Sequence, residues 1–377
     1  MNTIKLPVER SNFPTLNNKI MLSSCSQSAP PQSVIDAMDS YKYSLIDEGM
    51  EWGNWVERVE GARNKFAELI HCEPEEVAIL SSVSDAYSSV VNSLNFNEED
   101  EICVTEIDFP CIGQISLSNK LRHDVPVTFI PHTNHVINRE DYESKITDHT
   151  KLTCVPHISY YNGFKQDLKM ISDIAKQHDS LLFVDAYQSA GSVPINVKEM
   201  GIDILTAGLQ KYLMGIPGIT FLYINKEISE QLVPATTGWF GQSNPFAFDL
   251  KSTGFAESTQ RFNTGTPPIA NAYAAEAALD YILDVGVENI EKYLQELSKF
   301  TIDYAESLGM EVASPKDSNQ KGSTTAIYVE NADEIETALK KEGYVVSARR
   351  DVIRIAPHVY NTKEDIEQAL DRLKELL

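Results

Sequence analysis

Seven short apolar runs, separated by helical patterns, constrain the fold of this chain more than any other feature. A typical intervening segment spans residues 167–178, DLKMISDIAKQH, in which Leu168, Ile171 and Ile174 fall at helical spacing. Apolar strands that alternate with helices are buried on both faces, and they predict a mostly parallel sheet with helices on either side. We therefore expect an α/β fold with one large domain built on a seven-stranded sheet. The runs are Val77–Leu80, 102–104, 125–130, 152–156, 181–184, 202–205 and 219–224.

The pattern changes after about residue 268. Two long helical patterns, 270–285 and 287–308, are followed by short apolar runs and two further helices, which predicts a smaller α+β domain. A cleft between two lobes is the default place for a small-molecule site. The expected parts are an N-terminal segment that packs on the small domain (1–25), a large domain (26–268) and a small C-terminal domain (269–377).

The composition excludes several classes of function. Asp and Glu total 55 against 32 Lys and Arg, a net charge of −23, so we expect neither nucleic acid nor an anionic membrane as a partner. There is no apolar run of about 18 residues that could span a membrane. The first residues show no apolar core of a secretory signal. Five scattered cysteines and eight histidines lack metal-site spacing, so we expect no metal and a reducing, cytoplasmic location.

Two charged residues stand just beyond neighbouring apolar runs, where open α/β sheets bind their ligands. Asp185 follows the run 181–184, and Lys211 lies among small and apolar residues in TAGLQKYLMGIPG. Either residue alone has a structural explanation, because an Asp after a strand is often a helix cap and most lysines are exposed. Together they suit pyridoxal phosphate, which forms an imine with a lysine of depressed pKa and needs a carboxylate on its pyridinium nitrogen.

The segment that carries these residues, VDAYQSAGSVPINVKEMGIDILTAGLQKYLMGIPG, resembles the cofactor segment of the class V aminotransferase family. That family includes cysteine desulfurases, kynureninases and isopenicillin-N-epimerase-like enzymes, and the similarity extends over nearly the whole chain. The resemblance implies the fold-type I architecture, pyridoxal phosphate as the cofactor, and a homodimer with active sites at the subunit interface. It also implies an imine link to Lys211 and a contact between Asp185 and the pyridinium nitrogen.

The resemblance implies further cofactor contacts. Gln188 corresponds to the residue that hydrogen-bonds the phenolic oxygen, and Phe109 to a residue that stacks on the pyridine ring. Gln210 stands where relatives use His or Tyr to contact the phosphate. Thr266, in RFNTGTPP, corresponds to a residue that reaches the phosphate of the other subunit. The helix N-terminus that would hold the phosphate is formed by Ser82, Val83 and Ser84.

Two arginines near the C-terminus are the candidate substrate-binding residues. Arg354, in VIRIAPHVYN, matches the family arginine that binds the substrate α-carboxylate in a bidentate fork. Arg349 lies close to a second family arginine. Without the resemblance, an arginine on a strand is more often part of a surface ion pair.

The sequence leaves the reaction type open. Cysteine desulfurases carry a catalytic Cys on a loop before the final arginine, but this chain runs directly SARRDVIR and has no Cys after Cys154. We expect an enzyme that acts on a small amino acid, favoured as a kynureninase-like or C–S lyase because of Phe109, GWFGQ and VIRIAP. An aminotransferase or a racemase/epimerase is the alternative. A non-catalytic binding protein of this fold is the third reading, and Lys211, Asp185 and Gln188 argue against it.

Overall fold

The computed structural model describes residues 8–251 and 254–377. Residues 1–7 of the predicted N-terminal segment lie outside the described residues. The described strands are β1 (Ile20–Met21), β2 (Val77–Leu80), β3 (Glu101–Thr105), β4 (Val127–Ile130), β5 (Thr150–Pro156), β6 (Leu181–Asp185), β7 (Ile204–Gly208), β8 (Thr220–Ile224), β9 (Thr325–Tyr328), β10 (Tyr344–Val345), β11 (Ser347–Arg349) and β12 (Val352–Ile355). The described α-helices are α1 (Gln32–Asp47), α2 (Trp52–Ile70), α3 (Val83–Val91), α4 (Pro110–His123), α5 (Arg139–Lys145), α6 (Leu168–Gln177), α7 (Val197–Met200), α8 (Lys226–Ser229), α9 (Ile269–Val285), α10 (Val287–Ser307), α11 (Ala332–Lys341) and α12 (Lys363–Leu376).

All seven predicted apolar runs lie in one sheet, with the order β2-β8-β7-β6-β5-β3-β4. The neighbours from β4 through β7 pair in parallel, whereas β8 runs antiparallel to both of its neighbours, β2 and β7. Nearly every residue of β2, β6, β7 and β8 is buried, as expected for strands covered on both faces. The prediction of an α/β fold with a mostly parallel seven-stranded sheet is confirmed.

The register of the central strands determines where the polar residues meet. Pro156 pairs with Asp185, and Asp185 pairs with Thr206, so the carboxyl ends of β5, β6 and β7 lie at one edge of the sheet. Lys211 follows β7 in a tight turn that is closed by a 3.0 Å hydrogen bond from the Met214 amide to the Lys211 carbonyl. The strands thus bring Asp185 and Lys211 to the same edge.

Helices cover both faces of this sheet. The pattern at 167–178 forms α6, and the side chain of Asp167 caps it by accepting a 2.9 Å hydrogen bond from the Met170 amide. Helix α9 packs along α1 and α2 and shares the core of the large sheet, although the sequence prediction counted it with the small domain. Among the described residues, no helix is long and apolar enough to cross a bilayer.

The C-terminal part contains a three-stranded antiparallel sheet of order β11-β12-β9. One of the short apolar runs of this part covers residues 344–347, but the chain changes partner within it. β10 pairs in parallel with β1 of the N-terminal segment, whereas β11 pairs with β12. Periodicity carries no information about which strand is the partner, so this division was not visible in the sequence. The domain boundaries themselves stay predictions.

Candidate active site

A cavity of about 330 Å³ lies where the carboxyl edge of the large sheet meets α3, the N-terminal segment and the β11–β12 hairpin. We call it the Lys211 cavity. Ten of the eleven predicted site residues line it, all except Thr266. Its lining residues are Cys25, Ser26, Ser82, Val83, Ser84, Phe109, Cys111, Tyr160, Asp185, Tyr187, Gln188, Gln210, Lys211, Arg349 and Arg354.

Lys211 and Asp185 carry opposite charges in the cavity, and each affects the pKa of the other. Burial lowers the pKa of Lys211 to about 8, and the Asp185 carboxylate opposes this shift. Burial raises the pKa of Asp185, and the Lys211 ammonium and a 2.8 Å hydrogen bond from the Tyr187 amide oppose that shift. A large fraction of Lys211 is therefore neutral near pH 8, which is the form in which an amine attacks a carbonyl.

Aromatic rings enclose the amine. Lys211 Nζ lies 4.2 Å from the centroid of the Tyr187 ring and 5.7 Å from that of Phe109. The Phe109 ring meets the Tyr160 ring edge-on, with centroids 5.3 Å apart. These rings form part of the surroundings that bury the amine, and burial disfavours its charged form and so lowers its pKa.

Two glutamines connect the large sheet to the N-terminal segment. Gln188 Nε2 donates a 3.0 Å hydrogen bond to the Cys25 carbonyl, and Gln210 Nε2 donates a 3.1 Å hydrogen bond to the Ser26 carbonyl. Gln188 is only 5% exposed, and its Oε1 has no hydrogen-bond partner among the described residues. A buried amide oxygen without a partner indicates a place for a ligand that carries a hydrogen-bond donor.

The N-terminus of α3 faces the same cavity. Ser82 caps this helix, since its Oγ accepts a 3.1 Å hydrogen bond from the Asp85 amide. The first turn of any helix leaves backbone N–H groups without partners inside the helix, and these groups bind anions. A phosphate is one such anion.

Arg354 is the largest fully buried side chain and is 1% exposed. Its Nη1 donates a 2.6 Å hydrogen bond to the Tyr160 carbonyl, and its Nη2 donates to Ser347 Oγ at 2.6 Å and Ser26 Oγ at 3.0 Å. All these acceptors are neutral, and no carboxylate of the described residues lies within ion-pair distance of the guanidinium. A buried guanidinium without a counter-ion is an anion site.

Thr266 lies outside the Lys211 cavity. It lines a separate cavity of about 160 Å³ together with Gly265 and Phe240. The amide of Phe240 donates a 3.0 Å hydrogen bond to the Thr264 carbonyl, which holds this segment against the Trp239–Gly241 turn.

Sequence reasoning missed five residues that line the Lys211 cavity. Tyr160 and Tyr187 follow β5 and β6 closely, so extending the search beyond each strand by a few residues would have found them. Ser26 and Cys25 come from the N-terminal segment, and Cys111 lies in the first turn of α4; no sequence signal pointed to these three. Burial raises the pKa of the Cys111 thiol to about 11. The five residues are Cys25, Ser26, Cys111, Tyr160 and Tyr187.

The donor set fits pyridoxal phosphate. An amine of lowered pKa, a buried carboxylate, aromatic rings and a helix N-terminus meet in one small cavity. The unpartnered Gln188 Oε1 shows that a polar group is expected there. Among the described residues, no group of three or more His, Cys, Asp or Glu side chains is placed to hold a metal ion.

Comparison with known proteins agrees with this donor set. The family model of the class V aminotransferases matches residues 20–369. A protein of Bacillus subtilis named uncharacterized aminotransferase YcbU is 43% identical over 364 residues, covering 97% of this chain and 96% of that protein. A probable cysteine desulfurase of Halalkalibacterium halodurans is 29% identical, covering 96% of both chains.

Solved structures show the same fold. The apo structure of a cysteine desulfurase from Thermococcus onnurineus NA1 superposes with a TM-score of 0.89 at 24% identity, covering 100% of this chain and 99% of that one. The cystine C–S lyase C-DES superposes with a TM-score of 0.89 at 21% identity, covering 96% and 99%. The chain therefore belongs to the class V aminotransferase family, whose members are enzymes that use pyridoxal phosphate.

Proposed function

We propose that this enzyme cleaves a bond in the side chain of a small amino acid, as a C–S lyase or a kynureninase-like lyase. One observation carries the proposal: Lys211, with its lowered pKa, shares a cavity with Arg354, a buried guanidinium without a counter-ion. An amino acid has one group for each of them, since its α-carboxylate fits Arg354 and its α-carbon proton needs a nearby base. A non-catalytic binding protein has no need of a lysine tuned in this way.

The cofactor would be held by residues of this cavity. Bound pyridoxal phosphate supplies an electron sink for the electron pair that remains when a bond to the α-carbon breaks. Asp185 would keep the pyridine nitrogen protonated, and the second N–H of the Gln188 amide would donate to the phenolic oxygen. Phe109 would cover one face of the ring. The phosphate would be held by the α3 N-terminus, formed by Ser82, Val83 and Ser84, with Gln210 beside it.

The chain's own residues then direct the chemistry. Four of the five N–H groups of Arg354 hold its guanidinium in place on Tyr160, Ser26 and Ser347, and the second N–H of Nη1 is left to bind and orient the substrate α-carboxylate. Lys211 Nζ holds and moves a proton, because its pKa of about 8 lies close to neutral pH. The rings of Tyr187 and Phe109 lie beside that amine, at 4.2 and 5.7 Å from Nζ to the ring centroids.

The turn of the β11–β12 hairpin offers no cysteine to accept sulfur that is released from a substrate. Arg349 and Val352 are paired, so only Arg350 and Asp351 form the turn. Neither residue is a thiol, and the turn is too short to carry a catalytic cysteine loop. Sulfur released from a substrate would therefore leave as a free product instead of transferring to this turn.

Transamination is the second candidate, since the relative with 43% identity is named an aminotransferase. Product analysis with a panel of amino acids separates the two. A lyase releases an altered carbon skeleton without an α-keto acid acceptor, whereas an aminotransferase turns over only when the acceptor is present. Turnover that depends strictly on the acceptor contradicts the lyase proposal, and inversion at the α-carbon alone identifies a racemase or epimerase.

We also propose a homodimer in which Thr266 reaches the cofactor phosphate of the partner subunit. Two observations support it: Thr266 lines a different cavity from that of Lys211, and large apolar side chains are exposed in the segment that packs on Trp239, including Phe246 and Phe248. Mixing inactive Lys211→Ala and Thr266→Ala subunits tests this. Activity regained in the mixture supports a shared site, and a monomeric mass in solution contradicts it.

A further inference from the structure

The Lys211 cavity carries an excess of positive charge. Its lining includes Lys211, Arg349 and Arg354, and the one carboxylate among its described lining residues belongs to Asp185. This excess stands in a chain with 55 acidic and 32 basic residues, in which carboxylates are abundant. The cofactor phosphate would be held at the α3 N-terminus, so the two guanidiniums are left for a substrate with more than one negative group.

The hairpin places the two guanidiniums on one face. Arg354 lies directly opposite Ser347 across β11 and β12. Side chains two residues apart on a strand point to the same face, so Arg349 projects on the side of Ser347 and Arg354. Arg349 is thus the diagonal neighbour of Arg354, at about 7–8 Å between backbone positions, within reach of long side chains.

The two arginines differ in their burial and in the number of hydrogen bonds that they make. Arg354 is buried and held by neutral acceptors, whereas Arg349 is exposed at the cavity rim, with one 3.1 Å hydrogen bond from Nη1 to the Ala348 carbonyl. Neither has a carboxylate partner within ion-pair distance among the described residues. Burial lowers the pKa of Arg354, and the positive charge of Arg349 lowers it further. The two guanidiniums therefore repel each other, and an anion bound between them would relieve this repulsion.

We propose that the substrate is an acidic amino acid, with its α-carboxylate on Arg354, a side-chain carboxylate on Arg349, and the side-chain bond that is cleaved between the two. The inference rests on the proposed function, because it takes Arg354 as the α-carboxylate site. Arg349 is then the residue that determines specificity, selecting a dicarboxylate over an apolar amino acid of the same length. The planar guanidinium suits this task because it binds a carboxylate through two parallel hydrogen bonds.

Binding of unreactive acids to the cofactor-loaded enzyme tests the proposal without turnover. Succinate carries two carboxylates and propionate carries one, and neither has an amino group that reacts with the cofactor. We expect isothermal titration calorimetry to show that succinate binds more tightly than propionate. Arg349→Gln should weaken succinate by about tenfold or more, the loss expected for a hydrogen bond between charged groups, and leave propionate unchanged.

Arg350→Gln is the matched control, since it removes the same charge from the adjacent residue of the turn, which does not line the cavity. The proposal is wrong if wild-type enzyme binds succinate no more tightly than propionate, or if the Arg349 and Arg350 variants behave alike. It is also wrong if Arg349→Gln instead weakens inorganic phosphate on the cofactor-free protein, because Arg349 would then serve the cofactor.

Arg354→Lys separates this inference from the proposed function. If Arg354 is the α-carboxylate site, the variant weakens both succinate and propionate. If it changes neither, the assignment of Arg354 fails, and with it the substrate side of the proposed function. If it weakens both while Arg349→Gln weakens neither, the proposed function stands and only the acidic substrate is excluded.

Discussion

The side-chain amide of Gln188 joins the loop after β6 to the N-terminal segment, through the 3.0 Å hydrogen bond from its Nε2 to the Cys25 carbonyl. This bond orients the amide, because Nε2 must face Cys25 and Oε1 must then lie on the other side. Oε1 has no partner among the described residues, although the side chain is buried. The relationship links two parts of the chain that are far apart in sequence and prepares an acceptor for a ligand.

We expect Gln188→Leu to weaken pyridoxal phosphate binding by about tenfold, because one hydrogen bond to the cofactor is lost and the Cys25 carbonyl loses its donor. Titration of cofactor-free protein, followed by absorbance, measures this. Gln27→Leu is the matched control, since the Gln27 amide also joins the N-terminal segment to the large domain, through a 3.2 Å hydrogen bond from Nε2 to the Gly215 carbonyl, and does not line the cavity. Equal losses in both variants show that Gln188 acts only by holding that segment.

Lys211→Ala should lower turnover by at least ~10²–10⁴-fold, the usual contribution of one acid–base group, and should abolish covalent attachment of the cofactor. Borohydride reduction followed by peptide mass mapping identifies the attachment site in the wild type. The exposed Lys176→Ala provides the control. A cofactor adduct on any other lysine contradicts the assignment.

The lowered pKa of Lys211 also predicts how the rate of cofactor attachment depends on pH. The neutral amine is the reactive form, so the rate at which pyridoxal phosphate attaches to cofactor-free protein should rise with pH and level off above about 8. Stopped-flow absorbance measures the profile. A rate that continues to rise steeply above pH 9 indicates that burial does not lower the pKa.

Arg354→Ala should raise KM by about thirtyfold or more, since removing one partner of a buried charge pair costs on the order of 2–5 kcal/mol. Arg354→Lys should recover only part of this, because an ammonium cannot reproduce the planar fork. Steady-state kinetics on one amino-acid substrate measure both. Arg350→Ala is the control, and an unchanged KM in Arg354→Ala removes Arg354 from the site.

Replacing the two cavity cysteines, Cys25 and Cys111, by Ala should leave kcat within about threefold, apart from packing losses. The Cys111 thiol stays protonated at neutral pH because burial raises its pKa to about 11, and a protonated thiol is a poor nucleophile. Single-turnover kinetics separate the chemical step from binding. If either single variant still binds substrate and cofactor but has no turnover, a persulfide mechanism has to be considered again.

Lys321 is a buried lysine outside the Lys211 cavity and should make stability depend on pH. Burial lowers its pKa from 10.5 to about 7, so between these values the unfolded chain binds more protons than the native protein. The free energy of unfolding of the wild type should therefore rise with pH relative to Lys321→Met, by up to about 1.4 kcal/mol per pH unit. Urea unfolding from pH 7 to 10 measures the difference.

The control for this slope is Lys340→Met, which removes an exposed ammonium on α11. Lys321 Nζ is surrounded by neutral acceptors, with hydrogen bonds to Ser298 Oγ and to Thr325 Oγ1. A difference between wild type and Lys321→Met that stays constant with pH shows that Lys321 remains charged in the native protein.

Periodicity and strand-end chemistry were sufficient to predict the large sheet and its two central residues. A strand that is covered on both faces must be apolar on both faces, so it can be recognised in the sequence without knowing which strands it pairs with. Asp185 and Lys211 were found because each stands just beyond such a strand. Roles for Gln188, Phe109 and the two arginines came from the family resemblance, and those roles stay predictions.

Only the tertiary structure decided which distant segments complete the cavity. Cys25 and Ser26 reach it because β1 pairs with β10 and carries the N-terminal segment past the sheet edge. The common face of Arg349 and Arg354 depends on the register of one hairpin. Such pairings follow from the free energy of the whole packed chain, whereas local patterns report only the burial of each segment, so no stretch of sequence could specify them alone.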